Sequence, residues 1–439
     1  MKNNYTIHNQ DSILEYSFID ATEEGVDYIK NPESFCSFDK GLIALLKKKG
    51  YSGDLCNVAE MTEYLMKKLE KIGSSIKKQT LFSWFSGKNR PKVEAGSRPK
   101  IYEICFAMEL TYKETCWFFG HIYYDRAFNY HTIDEAVFYY AFLNGISYPE
   151  AQRMICEIEA APSVATENNI EPNYTLFVQQ RILEFRSEGE LKEFLIANKE
   201  NFKTWNISAS KKIHELVSLL LDPPEMKERI DNLKRALTQK IEKKDIDELK
   251  LQREGEKIYR DCGLLMKEIF YDAKYPDKEY GNARMVPEES VMEFIRNRNT
   301  NSNSFLLERL LTTSCGIRKD VEIPYIVRNN FPSKKVISDL LSEEKISTSK
   351  SYDGIRKMII LLDFYRFWLS VKLKIGYTDI PKEELTEIYR DEANHCLYEC
   401  GYEELYPGNP YDWIFLSSAY SEAPLVYLRS YITELDDVL

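Results

Sequence analysis

The stretch Ser74–Lys92, SSIKKQTLFSWFSGKNRPK, decides how the chain is read. It holds five basic residues and no acidic one, within a chain of 70 acidic and 59 basic side chains and a formal net charge of -11. Leu81, Trp84 and Phe85 recur at helical spacing, which predicts a helix from about Lys78 to Ser86 with one apolar stripe locked onto its neighbours. Lys78, Gln79, Thr80 and Ser83 fall away from that stripe, and side chains of these types reach base edges in a major groove. Gly87 predicts the helix stop. Lys77 before the helix, and Lys88, Asn89, Arg90 and Lys92 after it, carry donors of the kind that hold a phosphate backbone. The bland alternative is a solvated face on a protein-interaction bundle, since one bundle can serve many functions.

Working outward, the pattern stays helical. FDKGLIALLKKKG places Phe38, Leu42, Leu45 and Leu46 on one face and stops at Gly50. NVAEMTEYLMKKLEKIG groups Val58, Met61, Leu65, Leu69 and Ile72 and stops at Gly73. SYPEAQRMICEIEA opens with Ser147 as a capping residue and Pro149 in the first turn, both helix-start signals. Strand candidates reduce to VEIPYIV, whose proline confines it to an edge. Gly 18 and Pro 16 are few for 439 residues, which favours long helices over frequent tight turns. The expectation is an all-α protein of roughly 2–4 domains. The segments are an extension over 1–35, a first helical domain over 36–160, a linker over 161–173, a middle region over 174–300 and a C-terminal helical domain over 301–439.

The polar start MKNNYTIHNQDS has no apolar core of a secretory signal. The most apolar helix, MIILLDFYRFWLSVKL, is broken by Asp363, Arg366 and Lys372, so no membrane partner is expected and the localisation reads as cytoplasmic. Nine cysteines, none in a CxxC pair, read as free thiols, with Cys105, Cys116 and Cys156 in apolar helical surroundings.

TLFSWFSGKNRP resembles the recognition-helix region of lambda-repressor-like (Xre-type) helix-turn-helix regulators. The likeness rests on Thr80, Leu81, Trp84, the Gly87-Lys88 step and the Arg90-Pro91 step. KIYEICFAMELTYKE resembles the next helix of that family, and the likeness covers about 70 residues. FNYHTIDEAVFYYAFLNGISYPEAQ and YPGNPYDWIFLSSAYSEAPL are similar to stretches in bacterial helix-turn-helix proteins with large uncharacterised C-terminal regions. The resemblance implies an N-terminal helix-turn-helix bundle that reads duplex DNA in transcription regulation. It implies a homodimer over two half-sites, and a larger multi-helix region that senses an effector (small molecule, peptide or protein) or assembles. Charge agrees with it. From Lys77 to Lys100 there are seven basic residues and one acid, Glu94, a local net of +6. A positive island on an acidic protein attracts phosphate while the remaining surface repels it.

PSKKVISDLLSEEKISTSKSYDGIRKMIILL, Pro332 to Leu362, repeats the layout. Glu343 and Glu344 replace the Gly-Lys step, so it reads as a degenerate, non-binding helix-turn-helix repeat. No Walker loop, dinucleotide fingerprint, GxSxG or HExxH occurs, so no cofactor is expected. His395, Cys396 and Cys400 cluster on one helix but lack a fourth ligand, so no metal is expected. Arg-x4-His occurs twice, at Arg126 and His131 and at Arg390 and His395. The second resembles the signature of HEPN-type ribonucleases, in which His acts as general acid or base and Arg stabilises phosphorane charge. Three readings therefore stand: a DNA-binding regulator, a scaffold or defence component without DNA binding, and a ribonuclease effector using Arg390 and His395.

Overall fold

Caps and glycine stops divide the chain where the sequence places them. In the computed structural model, which describes residues 22–31, 33–91, 96–130, 132–162, 174–203, 207–221, 352–373 and 380–425 with a few isolated positions, every regular element is a helix. In chain order these are α1 Thr22–Lys30, α2 Phe38–Lys48, α3 Val58–Lys71, α4 Lys78–Phe85 and α5 Arg98–Ala107. Helix α6, Tyr112–Phe118, runs into a π turn, Phe119–Tyr123. Then come α7 Ile133–Asn144, α8 Tyr148–Ala160, α9 Tyr174–Glu184, α10 Glu188–Ala197 and α11 Ile207–Leu221. Beyond 351 lie α12 Tyr352–Leu373, α13 Lys382–Glu399 and α14 Pro410–Tyr420.

Local chemistry accounts for the boundaries. The Asn57 side chain accepts from the Glu60 amide at 3.2 Å and starts α3. Gly73, at φ +72°, ends it, and the Ser74 amide reaches back to the Leu69 carbonyl at 3.0 Å. At the start of α8, Ser147 gives its amide and hydroxyl to Glu150 at 3.1 and 2.6 Å.

Leu42, Leu46, Met61, Leu65, Leu69 and Leu81 are all 0% exposed and meet in one core. That core does not stop at 161–173. It runs on to Val178 and Ile182 of α9 and to Leu191 and Leu195 of α10. The expected linker therefore separates no cores, and α9 and α10 complete the first one. Their apolar stripes pack against α7 and α8. Lys199 also crosses back to the end of α8 and donates to the Ala161 carbonyl at 2.9 Å.

A second core gathers α11 to α14. Phe364 lies edge-on to Tyr389 and Phe415 with ring centroids 5.4 Å away in each case. The Tyr411 hydroxyl donates to the Lys357 carbonyl at 2.8 Å, and Arg356 grips Asp412 through two bonds of 2.8 and 2.7 Å. The extension contributes too: Tyr28 of α1 stacks on Trp413 of α14 at 5.3 Å. Among the described residues no helix is long and apolar enough to cross a membrane.

Cys105 is buried, but Cys156 is exposed, contrary to its expected apolar setting. Its neighbours Ile155 and Ile158 take the core face of α8. Lys92, His131, the strand candidate VEIPYIV, the 332–351 part of the repeat and most of the 224–271 charged run lie outside the described residues.

Candidate functional site

The basic helix α4 is held from three sides. Its apolar stripe, Leu81, Trp84 and Phe85, is buried. Trp84 meets Phe38 of α2 edge-on at 5.7 Å. The turn that leads into it, Ile72 to Lys77, is pinned by a single carboxylate from α5. Glu103, 5% exposed, accepts from the Ser75 amide at 3.1 Å, the Ser75 hydroxyl at 3.3 Å and the Ser74 hydroxyl. A buried carboxylate satisfied by three donors positions a turn without leaving a charge unpaired. Sequence reasoning did not single out Glu103, although a lone acid inside the apolar run IYEICFA was a signal for such a role.

The expected contact residues divide. Lys77, Lys78, Gln79, Lys88 and Asn89 are exposed, while Thr80 and Ser83 are half-buried. Lys78 pairs with Glu63 of α3, and the Lys78 hydrogen bond and charge hold the Glu63 carboxyl below its usual range. Both side chains are at least half exposed, so phosphate oxygens could compete for this ammonium in water. Asn89 donates from its side-chain amide to the Ser83 hydroxyl at 2.6 Å, and its backbone amide reaches the Ser83 carbonyl at 3.3 Å. Together these bonds close the loop over the end of α4, where Gly87 adopts φ +69°.

Arg90 corrects the sequence expectation. It is 9% exposed and faces inward. Its guanidinium donates to the carbonyls of Ile122 and Tyr123, at 3.5 and 2.7 Å, and sits over the Tyr124 ring at 5.2 Å. It anchors the loop rather than presenting a charge to phosphate. Arg98 is internal as well: it is 7% exposed and bound to Asp125 and Glu135. Burial opposes its charge, but these two carboxylates outweigh the penalty and hold the guanidinium protonated. The local excess of +6 counted along the sequence therefore overstates the charge at the surface.

The π turn that receives Arg90 also meets the C-terminal helices. His121 hydrogen-bonds the Tyr406 hydroxyl through Nε2 at 3.2 Å and the Trp117 carbonyl through Nδ1 at 3.0 Å. Burial keeps its imidazole below the usual pKa, against the opposing pull of that carbonyl. Asn409 donates to the Tyr124 carbonyl at 3.4 Å. Arg126 donates to the Gly401 carbonyl at 3.2 Å and pairs with Glu403 at 3.1 Å. Tyr124 closes the turn at φ +60°, an uncommon conformation for a bulky residue, often found where neighbours over-determine the backbone.

Arg390 and His395 share α13 but lie about 140° apart around it. Arg390 pairs with Glu387 and, at 3.9 Å, with Asp391; His395 faces Glu399 at 3.4 Å. His395, Lys212, Asp363, Arg366 and Glu399 line a cavity of about 550 Å³ between α11, α12 and α13, and Arg390 is not in its wall. Cys396 and Cys400 are buried, and burial pushes the Cys400 thiol up to about 12. No protein family, curated protein or solved structure matches the chain.

Proposed function

We propose that the chain is a DNA-binding regulator in which α3, the turn after it and α4 act as a helix-turn-helix reader of duplex DNA. The observation that carries this reading is the division of α4 into two faces. Leu81, Trp84 and Phe85 hold it in the core, while Lys77, Lys78, Gln79, Lys88 and Asn89 stay exposed. A short rigid helix with a solvated polar face and cations at both ends suits a major groove flanked by phosphates. The contact set is Lys77, Lys78, Gln79, Thr80 and Ser83 for the groove and its near phosphates, and Lys88 and Asn89 for the far ones.

The helical region beyond α10 acts in this reading as a sensor or assembly region. Its support is the shared π turn, where Arg90 enters from the α4 side and Tyr406 and Asn409 enter from the C-terminal side. Readers of this kind commonly bind as dimers. Leu183 on α9, 59% exposed, is an apolar side chain available for such a contact. Duplex binding measured against salt concentration tests the proposal. The expected result is an affinity that falls steeply with salt, with a slope of about -0.9 per phosphate neutralised. Absence of binding at low salt overturns it.

A further inference from the structure

Phe82 is out of place. Four large apolar side chains are exposed among the described residues: Phe82 at 40%, Leu143 at 37%, Leu183 at 59% and Tyr398 at 49%. Of these, Phe82 alone sits on the basic helix. Each residue turns the helix by about 100°, which puts Phe82 between Lys78 and Gln79 in azimuth and on the same face as Ser86. The other apolar residues of α4, Leu81, Trp84 and Phe85, are buried at 0, 4 and 3%. Folding of this helix is therefore accounted for without Phe82. Its side chain, 40% exposed, is partly open to solvent in the middle of the face that carries Lys78 and Gln79.

A phenyl ring offers no hydrogen bond to a base edge or a phosphate. In the major groove, the apolar feature a side chain can recognise is the C5-methyl group of thymine. We propose, resting on the DNA-reading proposal above, that Phe82 determines sequence preference by packing on thymine methyl groups. In this assignment Lys78 and Gln79 reach base edges or phosphates one turn earlier on the same face. Phe82 then selects thymine over cytosine at the base pair beneath it. The cations around it favour a polyanionic partner over an apolar protein surface, which is why duplex DNA is the occupant assigned.

The test uses the full chain. A preferred duplex is first selected from a random-sequence pool, and each of its thymines is then replaced by deoxyuridine, which lacks only the methyl. Affinities are read by fluorescence anisotropy at fixed salt. The expected result is that deoxyuridine at one or two positions weakens wild-type binding about fourfold per methyl, the equivalent of about 0.8 kcal/mol. Phe82→Ala should bind the thymine and deoxyuridine duplexes equally, and Phe82→Leu should retain part of the preference. Matching thermal unfolding of the variants shows that the fold is kept. Equal deoxyuridine penalties in wild type and Phe82→Ala overturn the assignment while leaving DNA reading intact. So does the lack of any penalty in wild type. A pool that yields no enriched sequence overturns the sequence-reading proposal itself, and the Phe82 assignment with it. Loss of binding to an unrelated protein on Phe82→Ala, without loss of thymine preference, would assign the ring to a protein contact instead.

Discussion

Helix α4 and helix α13 both carry a sequence motif that suggests a function, α4 with one charged side chain of its own and cations at its flanks, α13 with charges along its length. Charges on both helices are paired, Lys78 of α4 with Glu63, and the difference lies in the cations that flank α4. On α13 each motif side chain has a nearby carboxylate: Arg390 has Glu387 and Asp391, and His395 has Glu399. In the adjoining cavity Lys212 has Glu215 and Glu399, each at 2.9 Å, and Arg366 has Asp363 at 2.7 Å and Glu392 at 2.8 Å. Flanking α4, Lys77 and Lys88 are exposed, and neither forms an ion pair with another described residue. Whether a cation on or beside a helix keeps an internal partner is decided by the neighbours rather than by the helix.

The largest expected effect separates buried from surface cations. Arg98→Met leaves Asp125 and Glu135 buried without their counter-charge and should cost about 3–5 kcal/mol of stability in urea unfolding. Arg390→Met, which removes an exposed cation, should shift the midpoint little. Next comes the division between the two helices. Lys77→Glu with Lys88→Glu should weaken duplex binding about 100-fold, near 2.7 kcal/mol, and reduce the salt slope by about two. Arg390→Glu with His395→Ala should leave both unchanged; an equal loss from that pair would erase the contrast.

Smaller is the effect of the turn. Glu103→Ala removes a carboxylate that three donors share and should cost about 2 kcal/mol. Faster hydrogen exchange at the Ser75 and Ile76 amides would report it. The smallest effect is pH dependence at the contact between the two cores. The folded His121 has a lower pKa than the unfolded chain, whose value lies near 6.5. Its neutral form is therefore favoured by folding. The stability it contributes is complete above the unfolded value and is lost as pH falls through the folded one. His121→Gln should flatten that slope in thermal unfolding, and hydrogen exchange over 401–409 should lose its acid sensitivity.

Much of the helical framework was legible because its causes are local. Gly73 and Gly87 stop α3 and α4 in left-handed conformations that favour glycine. Ser147 and Pro149 start α8, and the spacing of Phe38, Leu42, Leu45 and Leu46 sets the buried face of α2. The π turn was not legible, since FGHIYYDR reads as continued helix. Its departure at Tyr124 depends on contacts with Arg90 and Asn409 from elsewhere in the chain. The 161–173 boundary misled for a related reason. Low periodicity marks a break in helix, and it says nothing about whether the helices on either side share a core.

Within the candidate site, Lys88 and Arg90 make the distinction sharpest. They stand two residues apart in one loop, and residue type and spacing were enough to show that both are cationic, that α4 ends at Gly87, and that Leu81, Trp84 and Phe85 face inward. Tertiary structure alone decided that Lys88 faces water while Arg90 is enclosed by the carbonyls of Ile122 and Tyr123. The physical reason is that a buried guanidinium needs acceptors in place. Those acceptors come from a turn some thirty residues further along the chain, brought there by the packing of α2 and α4 around Trp84 and Phe38.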